Sequence, residues 1–278
     1  LDYICRFVEE KVQTLGIQDV PIAEMHNVVE GALEKVNPVV AKSYRDYRNY
    51  KQDFVQMLDE VYKKSQSIMY IGDKENSNTD SALVSTKRSL IFNELNKELY
   101  KKFFLTVEEI QAIREGYIYI HDMSARRDTM NCCLFDVKNV LSGGFEMGNL
   151  WYNEPKTLDT AFDVIGDIVL SAASQQYGGF TVPSVDEILE PYAEKSHKKL
   201  IEKYRGLGLD EETVQKVAWA DLEKEMEQGF QGWEYKFNSV SSSRGDYPFI
   251  TVTAGTRTSI YGKLATIKML EVRKNGQG

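Results

Sequence analysis

Cysteine and histidine are scarce in this 278-residue chain: Cys5, Cys132 and Cys133 are its three cysteines, and His26, His121 and His197 its three histidines. Three cysteines cannot build a disulfide framework, and none has the C-x-x-C spacing of a zinc knuckle, so a reducing, cytoplasmic setting and no bound metal are expected. A serine or cysteine hydrolase needs a base beside its nucleophile, and only His121 lies near a cysteine in sequence. No G-x-S-x-G elbow, Walker loop or dinucleotide fingerprint marks another standard chemistry. No run of about 18 apolar residues is present, so no membrane partner is expected, and no secretory leader is visible. Excess positive charge is missing too: the net charge of -8 argues against a nucleic-acid coat. Small phosphorylated ligands stay open, because a few local cations and helix N-termini suffice for them.

What is present is ordinary globular composition, 42% hydrophobic and 27% charged, on a chain long enough for one large core or two domains. It opens inside a helical pattern at Leu1 and closes on Asn275-Gly276-Gln277-Gly278, which reads as a piece of a longer protein. Residues 1 to about 65 read as helices, with Ile4, Phe7, Val8 and Val12 on one face. The third helix alternates aromatic and basic residues through Tyr44-Arg45-Asp46-Tyr47-Arg48, a pattern expected of a solvated face with snorkelling cations. Gly72 to Asp80 reads as a loop and a domain boundary. Ser85-Thr86-Lys87-Arg88-Ser89 either holds a phosphate or caps a helix beginning near Leu90. Capping boxes are predicted at Thr106 with Glu109 and at Ser184 with Glu187. Strands are predicted at Tyr117–Asp122, around Cys132–Phe135, at Phe180–Val182 and at Tyr247–Gly255. Helices over Leu158–Ala172 and from about Glu211 to Phe230 imply a mixed α/β architecture with crossover connections.

The run Met130-Asn131-Cys132-Cys133-Leu134-Phe135-Asp136 carries the most chemistry. On a strand, adjacent side chains point to opposite faces, so one sulfur faces a cavity while the other packs behind it. That suits a redox thiol against an apolar wall, and it equally suits a structural pair, since free cysteine is among the most buried residue types.

The ordered set Glu75-Asn76-Ser77-Asn78-Thr79-Asp80-Ser81, Tyr119-Ile120-His121-Asp122, Asn131-Cys132-Cys133-Leu134-Phe135-Asp136, Pro155-Lys156-Thr157-Leu158-Asp159-Thr160-Ala161, Ala173-Ser174-Gln175-Gln176-Tyr177-Gly178-Gly179 and Pro248-Phe249-Ile250-Thr251 resembles the amino-terminal half of an anaerobic (class III) ribonucleoside-triphosphate reductase. Residues 22 to 52 resemble the carboxy-terminal part of an ATP-cone. The resemblance implies a small helical cone remnant over residues 1–53. It also implies that residues 54–278 are the first half of a glycyl-radical-type α/β barrel with dimerisation helices. It implies a ribonucleoside triphosphate substrate and an ATP or deoxynucleotide effector. A glycyl radical made by an iron-sulfur/S-adenosylmethionine activase, zinc in a carboxy-terminal part, and a homodimer are implied as well. Cys132 takes the role of hydrogen donor as the 2'-hydroxyl leaves, with Asn131 and His121 beside it in the catalytic set. Ser174, Gln175, Gln176, Gly178 and Gly179 fall in the substrate turn, and Lys198, Lys199 and Asp167 in the effector region.

Each assignment has a plainer counterpart: the glycines can serve helix-strand packing, the lysines an exposed face, the Asp159–Ser174 helix a monomer core, and His121 a cap or core position. Formate-using members carry His-x-His-Asp where this chain has Tyr119 first, and the turn to Cys132 is a couple of residues shorter. A thiol-redox protein is therefore the expected reductant. No third reductase cysteine and no glycyl-radical motif follow Cys133, so no complete turnover is expected of these residues alone. A nucleotide-binding regulatory module without catalysis, or another glycyl-radical enzyme such as an acyl lyase, is the alternative.

Overall fold

The computed structural model describes residues 2–16, 18–71, 82–127 and 129–276. The polar segment 72–80 and the motif 75–81 lie outside the described residues. The chain divides into two compact units, Leu1–Lys64 and Ser65–Gly278. Among the described residues no helix is long and apolar enough to cross a membrane.

The first unit is helical, as its periodicity predicts: α1 (Asp2–Leu15), α2 (Ile22–Val36) and the start of α3 (Pro38–Ile71). Asn37 breaks the chain between α2 and α3 in extended geometry, and its carboxamide accepts the Val39 and Val40 N–H groups, which α3 leaves unpaired. The cations of the aromatic-basic stretch do not face water alone. Arg45 and Arg48 both pair with Glu30 of α2, and the Tyr44 hydroxyl meets the His26 ring.

The second unit begins with α4 (Val84–Phe104) and α5 (Val107–Arg114). Helix α4 starts before the Ser85–Ser89 cluster, so those residues neither cap it nor form an anion loop. The Thr86 side chain is buried and donates to the Gly245 carbonyl at 2.9 Å. The predicted capping box at α5 is present, with Thr106 and Glu109 each accepting the other's backbone N–H. The strand expected over 117–122 is not formed. Its first N–H groups fold back onto the Ala112 carbonyl, Tyr117 and Tyr119 stand in solvent, and a left-handed Asp122 leads into a 3-10 turn at Met123–Ala125. Alternating apolar residues predict a strand only where a neighbour accepts the ladder.

Strand β1 (Cys133–Leu134) leads to the short α6 (Val137–Leu141), and then to a hairpin of β2 (Phe145–Met147) and β3 (Leu150–Tyr152) across Gly148-Asn149. Helix α7 (Leu158–Ala173), β4 (Gly179–Val182), α8 (Val185–Gly206), α9 (Glu211–Ser239), β5 (Phe249–Val252) and α10 (Ile260–Asn275) complete it. The three strands β1-β4-β5 form a parallel sheet in that order, joined by helical crossovers as expected.

Helix α7 is the centre of the core. Leu158, Phe162, Ile165, Ile168 and Val169 are all buried, packing with Phe180 and Val182 of β4, Leu189 of α8, and Leu222, Met226 and Trp233 of α9. Each fully buried aliphatic or aromatic side chain of this kind contributes roughly 1.5–3 kcal/mol. Phe162 lies edge-on to Phe230 and Trp233, and its ring occupies the space a Cβ at Gly229 would need. The amino end of α7 is capped by other helices: Ser196 of α8 accepts the Leu158 N–H at 2.8 Å, and Glu225 of α9 accepts both the Ser196 hydroxyl and the Asp159 N–H at 3.0 Å.

The second predicted capping box is absent. Ser184 adopts left-handed geometry and gives its N–H to Thr253, while Glu187 pairs with Lys138 and Arg257. Asp186 ties this end of α8 down instead: fully buried, it accepts the N–H groups of Gly255 and Arg257 at 3.1 and 2.7 Å. Burial alone pushes that carboxyl up, but the backbone donors outweigh it and hold it below the usual carboxylate range.

Burial pushes the Glu225 carboxyl up, and its two hydrogen bonds only partly oppose this. With the folded-state value raised, the stability Glu225 contributes is present below the ordinary carboxylate range and declines as pH rises through the raised value. Glu225→Gln keeps the accepting oxygen without the charge and is expected to gain on the parent chain between pH 4 and pH 8, whereas Glu225→Ala loses about 1–3 kcal/mol at either pH. Urea denaturation of the three chains at both pH values checks this.

Candidate functional site around the paired cysteines

The carboxy end of α7 sets the site. After Ala173 the chain takes two further turns, Gln175 and Gln176 donating to the Ala172 and Ala173 carbonyls, and then runs beside the cysteine segment. The Tyr177 N–H donates to the Met130 carbonyl at 3.1 Å and the Gly178 N–H to the Asn131 carbonyl at 2.9 Å. Below this point β4 pairs with β1, Cys133 opposite Phe180.

The two thiols diverge, as strand geometry requires. Cys132 is exposed, its thiol donating to Asn131 Oδ1 at 3.2 Å while its sulfur accepts the Gly179 N–H at 3.1 Å. Cys133 is half-buried against the core, where the side-chain amide of Gln176 donates to its sulfur. The apolar wall expected around Cys132 is replaced by backbone N–H and carboxamide groups. A thiol satisfies that environment, donating one bond and accepting another.

Gly178 permits this approach. A Cβ there would lie 2.6 Å from Cys132 Sγ and collide with Asn131. Burial pushes the Tyr177 hydroxyl up, Arg126 opposes the shift and Cys132 adds to it, so the phenol stays protonated at neutral pH.

Of the other predicted residues, Ser174, Gln176 and Gly178 line one cleft together with Tyr177 and with Ser242, Arg244 and Tyr247 from the loop after α9, while Gln175 and Gly179 are not in its lining. Gln176 is only 4% exposed and turns its amide to Cys133. His121 is exposed, its ring bonded to Asp122 and its carbonyl to Arg126, and no described hydrogen bond joins it to either cysteine. Lys198 pairs with Glu194 at 2.7 Å and Asp167 with Lys236 at 3.4 Å, so Lys198, Lys199 and Asp167 do not converge on one point. Lys199 instead lines a surface depression with Asp159 and Lys224.

Sequence pattern marks Arg244 only as part of a loop. Its guanidinium holds the Gln176 carbonyl and pairs with Asp246 at 3.0 Å. No local signal points to this role, because its partner lies 68 residues away. Gly178→Ala is expected to force Asn131 and Cys132 aside and to lower stability by about 1–3 kcal/mol. Thermal melts, with the alkylation rate of Cys132 as a local probe, test this close approach.

Residues 75–278 match the anaerobic ribonucleoside-triphosphate reductase family. The anaerobic ribonucleoside-triphosphate reductase of Haemophilus influenzae is 30% identical over 267 residues, covering 94% of this chain and 38% of the relative. That of phage T4 is 33% identical over 206 residues, 73% of this chain and 34% of the relative, and that of Escherichia coli K12 is 29% identical over 99% of this chain and 39% of the relative. The chain thus spans about two fifths or less of the length of these relatives. A crystal structure of the Thermotoga maritima anaerobic ribonucleotide reductase in complex with dATP and CTP superposes with a TM-score of 0.46 at 18% identity, over 79% of this chain and 40% of that one. The order of motifs around Cys132 and the match across residues 75–278 agree: this chain belongs to the anaerobic ribonucleoside-triphosphate reductase family.

Proposed function

We propose that this chain supplies part of an anaerobic ribonucleotide reductase, and that Cys132 donates hydrogen to the ribose of a ribonucleoside triphosphate as the 2'-hydroxyl leaves as water. The overall change takes up two electrons and two protons per nucleotide. One observation carries the assignment: of the two adjacent thiols only Cys132 is exposed, and it is held between Asn131 and the Gly179 N–H, beside a glycine whose missing side chain lets the turn come that close.

Asn131 then orients the thiol, and His121 stands on the segment entering the cysteine strand. Ser174, Gln175, Gly178 and Gly179 form the substrate-facing turn. Gln176 belongs to the same turn but faces the sulfur behind it. ATP or a deoxynucleotide is the effector in this reading, but Lys198, Lys199 and Asp167 do not converge and so do not make one site for it. The same reading takes the parallel sheet and its helices as part of a glycyl-radical-type α/β barrel over residues 54–278, and residues 1–53 as a cone remnant. For the whole enzyme it brings in an activase that makes the glycyl radical, a zinc site elsewhere, a homodimer and a thiol-redox protein as reductant.

A chain completed past residue 278 tests the central assignment. Cys132→Ser is expected to lower ribonucleotide reduction by roughly three orders of magnitude or more, as loss of a reacting group does. Cys133→Ser should retain most of the activity. Normal reduction by the Cys132→Ser enzyme overturns the assignment.

A further inference from the structure

The cysteine segment is paired in two successive registers along its length. Strand β1 is only two residues long, and the ladder changes register at the thiols: Met130 pairs with Gln176 but Cys133 with Phe180, so the glycine side carries one extra residue between those pairs. Such a bulge leaves a residue unpaired and loosens the local ladder. Sliding a strand by one residue moves every side chain to the opposite face, which here would turn Cys133 outward and Cys132 inward. Beside the two ladder pairs, the backbone bonds that oppose that slip are those of Tyr177 to Met130, Gly178 to Asn131 and Phe135 to Thr181.

Gln176 has the geometry to forbid it. Its backbone is held twice, by its N–H on the Ala173 carbonyl and by Arg244 on its own carbonyl, and Arg244 is steadied by Asp246. Its side chain reaches under the strand to Cys133, giving the inner sulfur its one described hydrogen-bond partner. The amide is nearly fully buried, and its Oε1 has no described partner. An apolar residue of equal length would fill the space without stranding an acceptor, so packing does not explain an amide here.

We propose that Gln176 is a positioning residue, a register pin that fixes Cys133 on the core side and thereby decides that Cys132 faces the site. This rests on the reading of Cys132 as the hydrogen donor. In that reading the enzyme must keep two chemically identical neighbours apart, and Gln176 distinguishes them by geometry alone.

Brief iodoacetamide labelling of the 278-residue chain carrying Cys5→Ser, with fragment-ion mass spectrometry to assign the label, reads both thiols at once. With Gln176 in place, Cys132 is expected to label about tenfold or more faster than Cys133, following exposure. In Gln176→Met, which fills the volume without a hydrogen bond, Cys133 labelling is expected to rise about tenfold while Cys132 stays within about twofold or slows. Gln176→Glu, which removes the N–H donors, gives the same readout should the methionine chain not fold. Equal labelling of the two thiols in the parent chain overturns the proposal. Unchanged Cys133 labelling in a folded variant does so too, as does acceleration of both thiols together, the mark of an opened turn. None of these measurements needs nucleotide reduction, so a failure of the Cys132 assignment in the complete enzyme is read separately.

Discussion

The site depends on the burial of α7. A helix with apolar residues on most of its circumference cannot face water, and here the sheet, α8 and α9 enclose it. Enclosure creates a difficulty at its amino end, where the first N–H groups have no partner within the helix. Ser196 and Glu225 answer it from two neighbouring helices, so the helix start is tied to the same elements that bury its flank. With one end anchored and the body wedged, the other end is placed, and that end carries the Ser174–Gly179 turn beneath the cysteines. The precision needed between Gly178 and Cys132 is supplied by a hydrophobic core rather than by the loop itself.

The same logic separates what is legible in the sequence from what is not. Long periodic faces such as those of α7 and α9 are decided by burial along one element, and they form as predicted, α9 running nine residues past its expected end to Ser239. The Thr106 capping box is decided within four residues and also forms. Local expectations fail where a distant group competes for the same partner. Ser184 gives its N–H to Thr253 across 69 residues, and Thr86 bonds Gly245 across 159. The Tyr117–Asp122 alternation finds no strand to pair with and folds back on α5.

At the site, the unequal facing of Cys132 and Cys133 follows from strand geometry, but the wall around Cys132 does not. Its neighbours are the carboxamide of Asn131 and the backbone N–H of a turn 47 residues on. Gln176, Arg244 and Asp186 carry no local mark of their roles, because each role exists only once the crossovers have brought their partners together.

The register change at the cysteines ties these threads together. Extended evenly, the Met130 pairing sets Gly178 opposite Cys132 and the Cys133 pairing sets Gly179 there, so either register meets a glycine, and a Cβ at Gly178 would collide with Asn131 and Cys132. The extra residue on the glycine side brings the Gly178-Gly179 backbone against the thiol, so Gly179 N–H can reach the sulfur while Asn131 and Cys132 fill the place a side chain at Gly178 would take. What brings the turn against the thiol therefore also interrupts the strand pairing that holds it. A site of this design needs its stiffness from outside the ladder. The structure provides it from behind, through the Gln176 amide on Cys133, and from the side, through Arg244 and Asp246 on the Gln176 backbone. The close backbone contact at Cys132 and the restraint at Cys133 meet at this one irregularity in the ladder.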